Sequence, residues 1–187
     1  MSNNRTSKKI NQLLIDLSSD SESKITTAVL ELASVGELEV IPELINILKE
    51  NANPVRQKLI SKLLSDIQIS GATEVFVEIL RKEDNQETLR LILPILWESR
   101  LDFSAYLADF VELSVSGDYL VALDCLTLME NMPGPFSESQ LLESQLHLKE
   151  FIENKERCDE RKAQIISEIA LFVKDQNDGI DADLLLD

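Results

Sequence analysis

Glycine and proline are scarce in this chain, five of each in 187 residues, and aromatic residues make up only 5%. An all-β sandwich needs turn residues together with β-branched or aromatic strand residues, and this composition argues against one. Cysteine is scarcer still. Cys125 and Cys158 fit no metal or redox spacing, and both sit in helical patterns. Basic charge is short as well: 18 Lys and Arg stand against 34 Asp and Glu, a net charge of −16. Nucleic-acid affinity rests largely on neutralising phosphates with Lys and Arg, so no nucleic-acid partner is expected. Anionic membrane surfaces are disfavoured for the same reason. The field attracts basic proteins, basic peptides and cations, although such acidity also serves solubility alone.

Long apolar runs are missing too. The densest, Leu91 to Trp97, is far too short to span a bilayer and lies between Arg90 and Glu98. Residues 1–9 are polar, and the apolar residues after them are interrupted by Asn11, Gln12 and Asp16, which leaves no signal-peptide core. A cytoplasmic protein with no membrane association is the expectation.

Leu, Ile, Glu, Lys, Ser and Ala dominate instead, and they favour an all-α chain. Their order repeats. Asp20 precedes Lys24, Asn53 precedes Arg56, and Asn85 precedes Arg90, each pair opening an apolar stretch at helical spacing. The basic residues lie 32 and 34 positions apart. A Gly or polar break follows at Gly36, Gly71 and Arg100–Asp102, and then a second, shorter amphipathic segment. The unit is a helical hairpin recurring about every 33 residues. Its helices are expected over 22–35 and 38–49, 54–68 and 72–82, and 86–99 and 103–115. Ile25, Ala28, Val29, Leu32 and Val35 form the buried face of the first, and Pro54 behind Asn53 starts the third. Pro94 lies inside a helix, where it removes a hydrogen bond. Later helices are expected over 118–131, from the capping box Ser137–Gln140 to about 154, and over 157–174, with a half-unit at 8–18. Residues 1–7 are expected to be a disordered N-terminus, 8–174 a single helical domain with an irregular cap over 133–174, and 175–187 an acidic tail.

The segment Ala28–Ala33, Gly36, Val40–Ile45 and Leu48 resembles the two-helix unit of the HEAT/armadillo repeat family, and Asn53-Pro-Val-Arg56 resembles its inter-unit turn. The likeness is clearest over 20–115. It implies a right-handed α-α superhelix of about ten helices, with the second helix of each hairpin on the concave side. It also implies that Asp20, Lys24, Asn53, Arg56 and Arg90 link successive units. Stacked hairpins of this kind share a continuous core and expose one extended face.

Few residues point to catalysis. There is one histidine, His147, no Gly-rich phosphate loop and no His-Glu-x-x-His signature. The tail Asp175–Asp181 resembles a calcium loop, but it is one residue short before Gly179 and lacks the closing Glu. No metal and no cofactor are expected. The better candidate is a surface: Glu39 with Glu43, Glu74 with Glu78, and Asp109 with Glu112 sit a helical turn apart on the second helices. Stacked in register, they would form an acidic stripe able to receive a basic segment, or simply a solvated face. Trp97, Phe103 and Tyr106 offer an aromatic anchor there or a core face. The leading reading is a non-catalytic scaffold for a protein or peptide partner. The family resemblance also admits enzymes, among them DNA-base glycosylases and bilin lyases. A third reading is an oligomerisation or subunit-docking piece anchored by Leu184–Leu186.

Overall fold

A computed structural model describes residues 3–19, 21–35, 38–50, 53–153 and 159–176; for residues 3–7 and 35 it describes the backbone alone. Among the described residues every regular element is helical, with ten α-helices and one short 3-10 turn. Expected as one domain over 8–174, the chain divides into two compact units.

The first unit comprises residues up to Lys82 together with Glu98–Leu101. It holds α1 (Asn3–Leu17), α2 (Glu22–Val35), α3 (Val40–Glu50), α4 (Pro54–Ser65) and α5 (Ala72–Leu80). Helix α1 begins at Asn3, so residues 3–7, expected to be disordered, are helical in their backbone. No Gly or Pro interrupts Asn3–Lys9, and a helix already nucleated over 10–17 adds residues at low cost. Ile25, Ala28 and Leu32 bury one stripe of α2, while Val29 is only half-buried. Val40, Ile41, Leu44, Ile45 and Leu48 give α3 its buried face. Helix α2 packs on α1 and α4, and α3 packs on α1, α4 and α5, so helices two apart in the chain pair as well as neighbours.

Helix α4 starts as its sequence dictates. The Asn53 side-chain oxygen accepts from the Val55 and Arg56 amides at 3.0 and 3.2 Å, and Pro54 occupies a position whose N–H would have no partner. The helix ends at Ser65 rather than 68, because the Ile67 amide turns back to the Leu64 carbonyl in a tighter, i to i+3 closure. Gly71 then stands before α5 with φ of 88°, and a Cβ there would meet Leu38 Cδ1 at 3.1 Å. Gly71→Ala is expected to lower the unfolding free energy by about 1 kcal/mol, readable as a shifted urea midpoint at unchanged slope.

The second unit, Glu83–Trp97 and Asp102–Asp187, holds α6 (Gln86–Glu98), whose last residue falls in the first, α7 (Leu107–Ser116), α8 (Tyr119–Glu130), α9 (Glu138–Glu153) and α10 (Glu160–Asp175). The helix expected over 103–115 is split. Asp102 Oδ1 accepts from the Ser104 amide at 2.8 Å and its hydroxyl at 2.6 Å, which holds Ser104–Tyr106 as a 3-10 turn ahead of α7. Pro94 is accommodated within α6, where it offers no N–H to the Arg90 carbonyl. Helix α7 packs on α8, α9 and α10, and α10 also packs on α8 and α9. Lys162 of α10 reaches the end of α7, where its ammonium donates to the Val115 and Gly117 carbonyls at 2.7 and 2.6 Å. These are carbonyls that a terminating helix leaves without internal donors. No helix among the described residues is long and apolar enough to cross a membrane.

Candidate functional site

The acidic pairs singled out in the sequence lie at or on α3, α5 and α7. Glu39 is in the turn before α3 and Glu43 in its first turn, both exposed. Glu74 and Glu78 are exposed on α5, which packs directly on α3. Asp109, half-buried, and Glu112, exposed, belong to α7 of the other unit. Glu43, Glu74 and Asp109 all fall in the first turn of a helix, where a carboxylate meets the positive end of the helix dipole. That placement gives one member of each pair a local stabilising role. Glu78 is further relieved by Lys82 at 3.8 Å.

Charge is distributed far less evenly than these pairs suggest. Of the 34 acidic and 18 basic residues, 22 and 7 belong to the second unit, a net charge of −15, which leaves −1 on the first. Between Arg100 and Lys149 there are eight carboxylates and no Lys or Arg. The helical patterning pointed to the glutamate pairs, but a running count of charge along the chain would have pointed to residues 101–148.

The residues expected to link repeats are only partly brought together. Asp20 lies outside the described residues, and Lys24 is exposed on α2. Arg56 is almost wholly buried, at 1% exposure, and its Nη2 donates to the Ser19 carbonyl at 2.6 Å. Arg90 instead reaches forward and forms an ion pair with Asp118. Asp118 caps α8, accepting from the Leu120 and Val121 amides at 3.0 Å each, while its own amide donates to Gln86 Oε1 at 2.8 Å. The sequence marked Asp118 only as a helix start. Nearby, burial raises the carboxyl pKa of Asp124, and Arg90 partly offsets that rise.

Phe103 and Cys125, two of the groups with chemical potential, are core residues. Phe103 is buried edge-to-face on Phe110, with centroids 5.6 Å apart, so it belongs to the core rather than to an exposed anchor. Trp97 and Tyr106 are half-buried. His147 lies half-buried on α9. Cys125 is fully buried, and burial pushes its thiol up to about 12, so it is protonated at neutral pH. Alkylation of the native protein followed by peptide mapping is expected to leave Cys125 unmodified until denaturant is added. Rapid native labelling would contradict this burial. Cys158 and most of the calcium-like loop, from Asn177 onward, lie outside the described residues, as does Leu184–Leu186. Among the described residues, no group of three or more His, Cys, Asp or Glu could hold a metal ion.

The first unit contains a cavity of about 330 Å³ between α2, α3 and the end of α4, lined by Leu32, Val40, Leu44, Leu63 and Ile67. Its acidic lining residue, Asp66, accepts from Lys62 at 2.8 Å. The arrangement suits an aliphatic group better than a polar substrate. No protein-family model, no curated protein and no solved structure matches this chain.

Proposed function

We propose that the chain is a short HEAT-like helical-repeat scaffold, wound as a right-handed α-α superhelix, that binds a protein or peptide partner and catalyses no reaction. The observation that carries this reading is the pairing of helices two apart within each unit: α2 with α4 and α3 with α5, then α7 with α9 and α8 with α10. Hairpins stacked in this way form two rows of helices and leave the outer side of each row free for recognition. The exposed carboxylates of α3 and α5 favour a partner with a basic segment, bound in a salt-sensitive manner. A cytoplasmic setting belongs to the same reading, and the buried free thiol of Cys125 accords with it.

Affinity capture from native lysate with salt elution tests the reading. A partner should be retained at low salt and released at high salt. The variant carrying Glu39→Lys, Glu43→Lys, Glu74→Lys and Glu78→Lys should lose it while keeping its helical circular dichroism. Retention by that variant would remove the α3–α5 edge from the site. Tight binding of alkylated duplex DNA at low salt would overturn the whole reading in favour of a nucleic-acid enzyme.

A further inference from the structure

Helix α9 is apolar on two faces. One face, with Leu141, Ser144, Gln145 and Leu148, is buried where α9 packs on α7 and α10. The other exposes Leu142 and Leu146, one turn apart, at 41% and 60%. Leu171 of α10 is also exposed, at 53%. Phe136, two residues before α9, stacks edge-to-face on Phe172 at 5.8 Å, which brings the C-terminal part of α10 beside the start of α9. Leu171 is therefore at the same end of the helix pair as Leu142. Single exposed leucines are ordinary on a protein surface, but a one-turn pair on one helix face is the start of a patch. The polar neighbours on α9 are mostly acidic, with Glu138, Glu143 and Glu153 exposed, and one basic residue, Lys149, lies a turn after Leu146.

We propose that this face of α9 docks a basic amphipathic segment of another protein. The aliphatic side chains of that segment cover Leu142 and Leu146, and its Lys or Arg residues meet the flanking carboxylates. The inference rests on the binding-scaffold reading above and names a partner chemistry and a place for it. Charge selects the occupant. A second copy of this chain also carries −16 and is repelled. The chain's own Leu184–Leu186 lies in a segment that has five aspartates from Asp175 onward and no basic residue after Lys174. A foreign cationic segment satisfies both the apolar pair and the field, and helix-in-groove recognition reads such anchors at one-turn spacing.

The test is fluorescence anisotropy of the full chain with a synthetic Lys/Leu peptide whose leucines fall at i, i+3, i+4 and i+7. The comparison is a scrambled peptide of equal composition. The amphipathic peptide should bind at low salt, and the scrambled one about tenfold more weakly. The double variant Leu142→Ser/Leu146→Ser, whose positions are exposed and leave the core intact, should also lose about tenfold in affinity at unchanged helicity. The four Glu→Lys changes on α3 and α5 should leave peptide binding near that of the natural chain. Equal binding of the scrambled peptide, or undiminished binding by the double serine variant, would overturn the proposal. So would a dimer in sedimentation that the double serine variant dissolves, since a second copy would then cover the face. Tighter peptide binding after Leu184→Ser/Leu185→Ser/Leu186→Ser would equally overturn it by naming the tail as occupant. If the peptide binds the double serine variant undiminished while the natural chain still captures a partner from lysate, this site fails and the scaffold reading stands. If the natural chain captures nothing, the scaffold reading itself fails.

Discussion

Arg56→Ala should lower the unfolding free energy by about 3 kcal/mol, and Arg56→Met by less than half as much. Among the described residues the buried guanidinium has one bond, from Nη2 to the Ser19 carbonyl at 2.6 Å, and Nε and Nη1 have no hydrogen-bond partner. A buried, incompletely paired cation costs desolvation energy that its neighbours do not fully return. Alanine removes the charge but also the long aliphatic stem, and it leaves both a void and a carbonyl without its donor. Methionine fills most of that volume and relieves two unpaired donors, losing only the single bond. Urea unfolding followed by circular dichroism separates the cases. Equal destabilisation by alanine and methionine would show that the charge itself, and not the filled volume, holds this part of the first unit.

Asp118→Ala should cost about 3 kcal/mol, whereas Asp118→Asn should cost about 1 kcal/mol. Two contributions meet at this one carboxylate. It caps α8 through two backbone amides, and asparagine preserves that role because its side-chain oxygen accepts equally well. It also pairs with Arg90, whose Nε is buried without a partner among the described residues, and asparagine at 118 would not supply that countercharge. Both partners are about a third exposed, so the ion pair contributes less than a buried one would. Raising the salt concentration should shrink the penalty of the asparagine variant and leave the gap between asparagine and alanine unchanged. A salt-independent asparagine penalty would assign the role of Asp118 to geometry alone.

Local signals in the sequence carried much of the fold. Asn53 with Pro54, Asn85, Gly117 with Asp118, and Ser137 each stand at or beside a helix start, because the cap chemistry involves residues adjacent in the chain. What depended on distant partners was less legible. The 3-10 turn at Ser104 also ties to Gly134, thirty residues on, whose amide donates to its hydroxyl at 3.1 Å. Nothing near Arg90 announces that it pairs with Asp118 rather than within its own hairpin. For the candidate site, Glu43, Glu74 and Glu78 are exposed on helices, and Glu39 is exposed in the turn before α3. The periodicity missed the outward leucines of α9, because apolar residues on two faces of a helix blur the one-sided pattern by which a buried stripe is recognised.

Helix α10 touches α7, α8 and α9, and its Lys162 closes the end of a helix that finished 46 residues earlier. On the ribosome, which adds residues in order at about 5–20 per second, the helices of the first unit can pair soon after they emerge. The second unit must hold α7, α8 and α9 without their last neighbour until Lys162 has left the exit tunnel. During those seconds the surfaces that α10 will cover stay open to chaperones, and a stop codon before α10 would leave them open permanently.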